Sequence, residues 1–230
     1  MAGVNNIVFG DSIPFGVGVS NVADSWPRLL AALLGVRVDV NAQPGENLQK
    51  LFGTNSLTNL LFEPTSEQLA SQPVFEIWNP NEYNKLIVEA VINDARLNGQ
   101  DQYNNISTFK AAYYRILNEF NRKGCPDSSI VLMNCGIDLT ADQETNDRIA
   151  AFNAVYPVMK SERPGLQIID LHTFMASLPE PKSQWFADGL HPNESLTPLI
   201  AQFMYNELTK IVTPTPHPEL FVKHGRFTIN

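Results

Sequence analysis

Ser12 stands in IVFGDSIPFGVGVS (7–20), directly after an apolar run, within Gly10-Asp11-Ser12 and with glycines again at 16 and 18. A serine hydroxyl is a weak nucleophile until a base takes its proton, a third group orients that base, and N–H donors meet the oxyanion that forms. Near the other end of the chain, WFADGLHPN (185–193) sets Asp188 and His191 three residues apart. On one turn that spacing lets a carboxylate hold one ring nitrogen while the other faces outward. Two more segments offer N–H donors. Gly45 in NAQPGENL has no side chain to keep its backbone N–H from a ligand, and Asn93 in AVINDARLNG can aim a side-chain amide. Taken singly, Gly45 also reads as a turn glycine and Asn93-Asp94 as an Asx turn.

These residues could meet only if the chain brings them to one edge. Apolar runs of strand length recur at 4–10, 36–41, 85–92, 129–135 and 166–171, each ending near a turn-forming or polar residue. Helical patterns lie between them. The clearest is 25–34, where Trp26, Leu29, Leu30, Leu33 and Leu34 share a face, Asp24 or Ser25 can cap the start and Gly35 ends it. Residues 105–123, 143–162 and 195–212 read as further helices. Strand and helix in alternation imply right-handed crossovers and a parallel sheet covered on both faces, hence a three-layer α/β/α sandwich with a central, mainly parallel five-stranded sheet. In such sheets sites form beyond the carboxyl ends of the strands. The residues there are Asp11 and Ser12, 41–45, Asn93 and Asp94, 135–138, and His172.

That edge holds rivals. Asp138 follows the fourth strand and His172 the fifth, and Asp170 with His172 would face the same way if the strand continued. His191 is preferred as the base because Asp188 and Pro192 frame it locally. His217 and His224 fall in the tail and are expected to be solvated. The glycines after Ser12 lack the Gly-Lys-Ser/Thr ending of a phosphate loop. No His, Cys, Asp or Glu cluster has zinc-type spacing, so neither a metal nor another cofactor is expected.

The chain has 230 residues and a formal charge of -8, from 24 acidic against 16 basic side chains, which would repel nucleic acid and offers anionic lipid no basic patch. No apolar run reaches the roughly 18 residues of a membrane span, and the first residues lack the h-region of a signal peptide. A soluble protein is expected, cytoplasmic or a secreted form whose leader has been removed. Cys125 and Cys135 would lie near opposite ends of the fourth strand, too far apart for a disulfide, and are read as reduced. One domain is expected over 1–212. Within it, 53–84 would be a lid or pocket wall, or a purely structural excursion. The tail, 213–230, opens with alternating prolines that favour an extended arm, either disordered or packed on a neighbouring subunit of a homo-oligomer.

In order along the chain, Gly10-Asp11-Ser12, Gly45, Asn93-Asp94 and Asp188-Gly-Leu-His191-Pro-Asn together resemble the SGNH hydrolases, also called GDSL esterases and lipases. The resemblance spans about 4–210, leaving 53–84 and the tail uncovered. It implies a flavodoxin-like fold and a serine esterase, with Ser12 as nucleophile, His191 as base, Asp188 as its orienter, and Ser12 N–H, Gly45 N–H and Asn93 Nδ2 as the oxyanion hole. One position departs from the family's Gly-x-Asn-Asp block, Val91 standing where glycine is usual, which could shift the strand end carrying Asn93. Trp78, Phe75, Trp185 and Phe186 are candidates to line a substrate pocket, with core packing as the other reading. The expected substrate is a small-molecule or carbohydrate ester with a short acyl group such as acetyl. Alternatives are a long-chain lipase or thioesterase, or a non-catalytic carbohydrate-binding or assembly module on the same scaffold.

Overall fold

The computed structural model describes residues 5–48, 79–89, 91–96 and 106–210. Phe75, Trp78, His217, His224, the tail from 213 and most of the 53–84 connection lie outside them.

Five strands form one parallel sheet: β1 (Asn5–Gly10), β2 (Val38–Ala42), β3 (Tyr83–Glu89), β4 (Ile130–Met133) and β5 (Gln167–Ile169), in the order β2-β1-β3-β4-β5. Strands covered on both faces have no polar side to alternate with, which is why Ile130–Met133 is apolar and buried throughout. Among the described residues the α-helices are α1 (Ser12–Phe15), α2 (Trp26–Leu34), α3 (Ile92–Ala95), α4 (Ile106–Arg122), α5 (Gln143–Asn153), α6 (Val155–Glu162), α7 (Leu171–Ala176) and α8 (Thr197–Thr209). Strand order runs one way from β1 to β2 and the other way from β3 to β4, so right-handed crossovers place α2 and α4 on opposite faces. On the α4 side, Phe109 stacks on Phe152 of α5 at 4.2 Å, and the buried hydroxyls of Tyr113 and Tyr156 hydrogen-bond at 2.7 Å.

Several boundaries differ from the sequence reading for local reasons. The third strand begins at Tyr83 and ends at Glu89 instead of running over 85–92. Asn79 starts it by accepting the Asn81 N–H on its side chain and the Glu82 and Tyr83 N–H groups on its carbonyl, and the Tyr83 hydroxyl then donates to Asp39 at 2.7 Å. The pattern over 143–162 is two helices, because Pro157 has no N–H for the carbonyl of Asn153 four residues earlier. In α2, Trp26 and Leu30 are fully buried, whereas Leu33 is 43% exposed and leaves the predicted face. The Ser25 hydroxyl accepts from Arg28 at 2.7 Å rather than capping α2, and Gly35 closes the helix at φ +65°.

Register aligns the ends that matter. Gly10 pairs with Ala42 on one side and with Glu89 on the other, so β1, β2 and β3 release the chain at one level of the sheet. That level flanks the point where strand order reverses, the place where open parallel sheets bind ligands. Gly10 is what lets the chain turn there: a Cβ on it would lie 2.2 Å from Pro14 Cγ and 2.4 Å from the Glu89 carbonyl. Overpacking of this kind costs roughly 1–3 kcal/mol. Gly10→Ala should therefore lower the melting temperature by several degrees in a thermal unfolding curve followed by circular dichroism, and an unchanged Tm would contradict the close packing of α1 on β3.

Candidate active site

Ser12 is the first residue of α1, a single turn built by its neighbours. Asp11 caps it, Oδ1 accepting the Ile13 N–H at 2.9 Å, and Gly16 ends it in the left-handed region at φ +105°, its N–H reaching the carbonyls of Ser12 and Ile13. Pro14 lies in the first turn, where helix N–H groups have no partner to lose. The Ser12 hydroxyl thus stands just past the end of β1 on a rigid elbow.

The loop 185–193 brings the imidazole to it. Asp188 Oδ1 accepts the N–H groups of Leu190 at 3.0 Å and His191 at 2.8 Å, while Oδ2 lies 2.6 Å from His191 Nδ1. His191 Nε2 is 2.9 Å from Ser12 Oγ. With Nδ1–H donated to the carboxylate, Nε2 is left to accept the serine proton. Partial burial would raise the Asp188 carboxyl, but the His191 N–H, the His191 ring and the Leu190 N–H outweigh it and hold it at about 2. The two loops are also locked directly. Gly18, at φ +103°, packs so close that a Cβ would lie 2.6 Å from the Pro192 carbonyl and 2.8 Å from His191 Cβ. Ser20 donates both its N–H and its hydroxyl to Glu194 Oε1, each at 2.7 Å.

Beyond β2, Gln43-Pro44-Gly45-Glu46 turns back with the Glu46 N–H on the Gln43 carbonyl at 3.1 Å and Gly45 at φ +84°. Proline second and a positive-φ glycine third are the signature of a type II turn. The Gln43 N–H donates to the Gly10 carbonyl at 3.1 Å and seats this turn beside Ser12. Asn93 and Asp94 lie in α3, not at a strand end, and together stitch that helix to the same segment. Asn93 Nδ2 donates to the Glu46 carbonyl at 2.7 Å, and Asp94 Oδ2 accepts the Leu48 N–H at 2.8 Å. The contact of Asn93 Nδ2 with Asp11 Oδ2, 3.5 Å, is too long to claim the second amide hydrogen strongly. Val91 precedes α3 at φ −122°, a conformation open to any residue, with its side chain in the core.

The rivals are otherwise engaged. The strand ends at Ile169, so Asp170 becomes the cap of α7, accepting from Thr173 and from Asn134 at 2.7 Å, and His172 Nδ1 lies 3.0 Å from the Gly136 carbonyl. Asp138 pairs with Arg96. Phe186 is buried in the core and bridges Pro192, while half-buried Trp185 donates its indole N–H to the Pro179 carbonyl at 2.9 Å, so both hold the 185–193 loop in shape. Cys125 and Cys135 are free and buried, and burial pushes the Cys125 thiol up to about 12. Among the described residues, no group of three or more His, Cys, Asp or Glu side chains is placed to hold a metal.

The sequence reading did not anticipate the buried acids that ring this crevice. Asp11, Glu46, Glu89 and Asp94 are all at most 3% exposed. Burial pushes the Asp11 carboxyl up to about 7; burial, with Asp11 and Asp94 nearby, takes Glu46 to about 9; burial beside Asp11 likewise raises Glu89. Neither carboxyl oxygen of Glu46 has a hydrogen-bond partner among the described residues. Apart from the short spacing of Asp11 to Ile13, no local signal marks these roles, because their environment is assembled from three strand ends.

A family model for the GDSL-like lipase/acylhydrolase family matches residues 8–195. No curated protein matches the sequence significantly. Solved structures do match, among them a lipase/acylhydrolase from Enterococcus faecalis, 19% identical with a TM-score of 0.62 over 89% of this chain and 94% of that one. A psychrotrophic esterase from Pseudoalteromonas sp., inhibited by monoethylphosphonate, is 15% identical with a TM-score of 0.60 over 90% of this chain and 97% of that one. An acetyl xylan esterase is 14% identical with a TM-score of 0.62 over 88% and 98%. At these identities the solved structures speak for the fold, and the family rests on the match over 8–195: this chain belongs to the GDSL-like lipase/acylhydrolase family of ester hydrolases.

Proposed function

We propose that the protein hydrolyses carboxylic esters through an acyl-enzyme on Ser12, with His191 as general base and acid and Asp188 as its orienter. The observation that carries the reading is the 2.9 Å approach of His191 Nε2 to Ser12 Oγ, with Nδ1 held 2.6 Å from Asp188. As Ser12 Oγ attacks the ester carbonyl, its proton passes to His191 Nε2, and the imidazolium gains from the ionised Asp188 beside it. The same proton goes to the leaving alcohol as the tetrahedral oxyanion collapses. Water then gives a proton to His191 and attacks the acyl-enzyme, and Ser12 takes the proton back when the acid leaves.

The oxyanion needs donors fixed in advance. Ser12 N–H, at the start of α1, Gly45 N–H, exposed by the type II turn, and the second amide hydrogen of Asn93 are assigned to it. A donor of this kind contributes about 2.7–4 kcal/mol to the barrier when removed. The substrate we assign is an ester of a short acyl group such as acetyl on a carbohydrate, consistent with the net charge of -8, which disfavours anionic partners, and with an acetyl xylan esterase among the structural neighbours. With p-nitrophenyl esters from acetyl to palmitoyl, kcat/KM should peak at the shortest acyl groups and vanish in Ser12→Ala. A maximum at palmitoyl would make it a long-chain lipase or thioesterase. Turnover that survives Ser12→Ala would remove the nucleophile, and its absence from the native protein with every ester would favour a non-catalytic module.

Developing negative charge among Asp11, Glu46 and Glu89 is tolerable only while those carboxyls are largely neutral. Their folded-state values lie above the ordinary ones, so the folded protein binds protons that the unfolded chain has released. The stability they provide is complete below about pH 4 and is lost as pH rises towards about 9, the value for Glu46. Tm should accordingly fall between pH 5 and 9. Glu46→Gln, neutral throughout, should flatten that slope and raise Tm at the alkaline end. Parallel curves for the two proteins would show that Glu46 is not held protonated.

A further inference from the structure

Asn93 and the His191 loop belong to different parts of the chain, yet the chemistry proposed above needs them in fixed relation. Arg96 connects them. At the α3 side it is the residue that closes the helix: its N–H donates to the carbonyls of Ile92 and Asn93, each at 3.2 Å. Arg148 from α5 secures the adjacent carbonyl of Ala95 with Nε at 2.6 Å, so the helix end is held from two directions. At the other side the Arg96 guanidinium reaches across 42 residues, Nε to Asp138 Oδ2 at 2.7 Å and Nη2 to Thr140 Oγ1 at 2.5 Å. Thr140 completes a closed triangle, its N–H and hydroxyl donating to Asp138 Oδ1 at 2.9 and 2.7 Å.

The triangle sets the shape of 138–140, and the base loop rests on that shape. The Leu139 N–H donates to the Gly189 carbonyl at 2.9 Å, and Thr140 Cγ2 lies 2.7 Å from where a Cβ on Gly189 would stand. Gly189 separates Asp188 from Leu190, whose N–H together with that of His191 fixes the Asp188 carboxylate. The Asp138 side chain is fully buried, and the Arg96 guanidinium, its side chain 37% exposed, is the cation that pairs with it.

We propose that Arg96 is a positioning residue of the ester hydrolysis assigned to Ser12, holding the end of the Asn93 helix against the loop on which Asp188 and His191 sit. The inference rests on that reading of the function. It also accounts for a bidentate arginine where a lysine, a point charge, would hold Asp138 but not Thr140 as well.

A double-mutant cycle on p-nitrophenyl acetate separates this role from plain support of the fold. Misplacement of a catalytic group by about 1 Å can cost up to 100-fold, so Arg96→Ala should lower kcat by about tenfold or more with KM changed less than about threefold. Asn93→Ala should lower kcat by about 100-fold. In the Asn93→Ala background the same Arg96→Ala change should cost less, since of the two groups it holds in relation the Asn93 donor is gone and only its effect on the His191 loop remains. Equal losses in both backgrounds, or no loss in either, would overturn the proposal. Should Arg96→Ala fail to fold by circular dichroism, Arg96→Lys, which keeps a charge beside Asp138, enters the same cycle with the same expected non-additivity. A native protein without turnover, or turnover surviving Ser12→Ala, would sink the functional reading and this proposal with it. Activity dependent on Ser12 but additive Arg96 and Asn93 effects would sink this proposal alone.

Discussion

The hydroxyl of Ser12 and the imidazole of His191 meet at 2.9 Å although 179 residues separate them, and a contact of that kind survives only if both loops are fixed to a few tenths of an ångström. One loop is fixed by the sheet, through the elbow that Gly10, Asp11 and Gly16 build at the end of β1. The other has little secondary structure of its own and borrows rigidity from its neighbours. Gly18 admits the Pro192 carbonyl, Glu194 takes two hydrogen bonds from Ser20, and Leu139 holds the Gly189 carbonyl. Gly18 serves close approach of backbone to backbone, and Gly189 leaves room for the Thr140 methyl group, 2.7 Å from where a Cβ would stand.

Electrostatics impose a second condition. The same sheet edge that gathers Ser12, Gly45 and Asn93 also buries Asp11, Glu46 and Glu89, and burial opposes their ionisation. In the proposed reaction this is consistent: a carboxyl whose ionisation burial opposes, Glu46 above all, adds little negative charge beside an oxyanion, while Asp188, half-exposed and hydrogen-bonded by two N–H groups, carries the charge that an imidazolium requires. Burial thus sorts carboxyls in one crevice into neutral and ionised members.

Much of this was legible in the sequence because it is encoded locally. Apolar runs ending at polar residues mark strands buried on both faces, and their alternation with helical patterns gives the parallel sheet and the edge where its site must lie. Asp188 and His191 carry their relation in a spacing of three residues. What stayed hidden depends on contacts between distant segments. Glu194 gives no sign of Ser20, nor Arg96 of Asp138, and the raised carboxyls of Glu46 and Glu89 exist only once the strands around them assemble. Boundaries moved where a single residue outweighed the pattern: Pro157 split one predicted helix, and Asp170, expected on a strand beside His172, became a helix cap instead. Val91, which looked disruptive in place of glycine, takes an ordinary backbone conformation and joins the core.

The proposed chemistry depends on Ser12 being made nucleophilic by His191. Treatment with a fluorophosphonate ester, followed by peptide mass spectrometry, tests this most directly, in the native protein and in His191→Ala. A single adduct on the peptide carrying Ser12, formed at least about 100-fold more slowly without the imidazole, is the expected result. An adduct on another residue, or labelling of Ser12 at the same rate in His191→Ala, would contradict it.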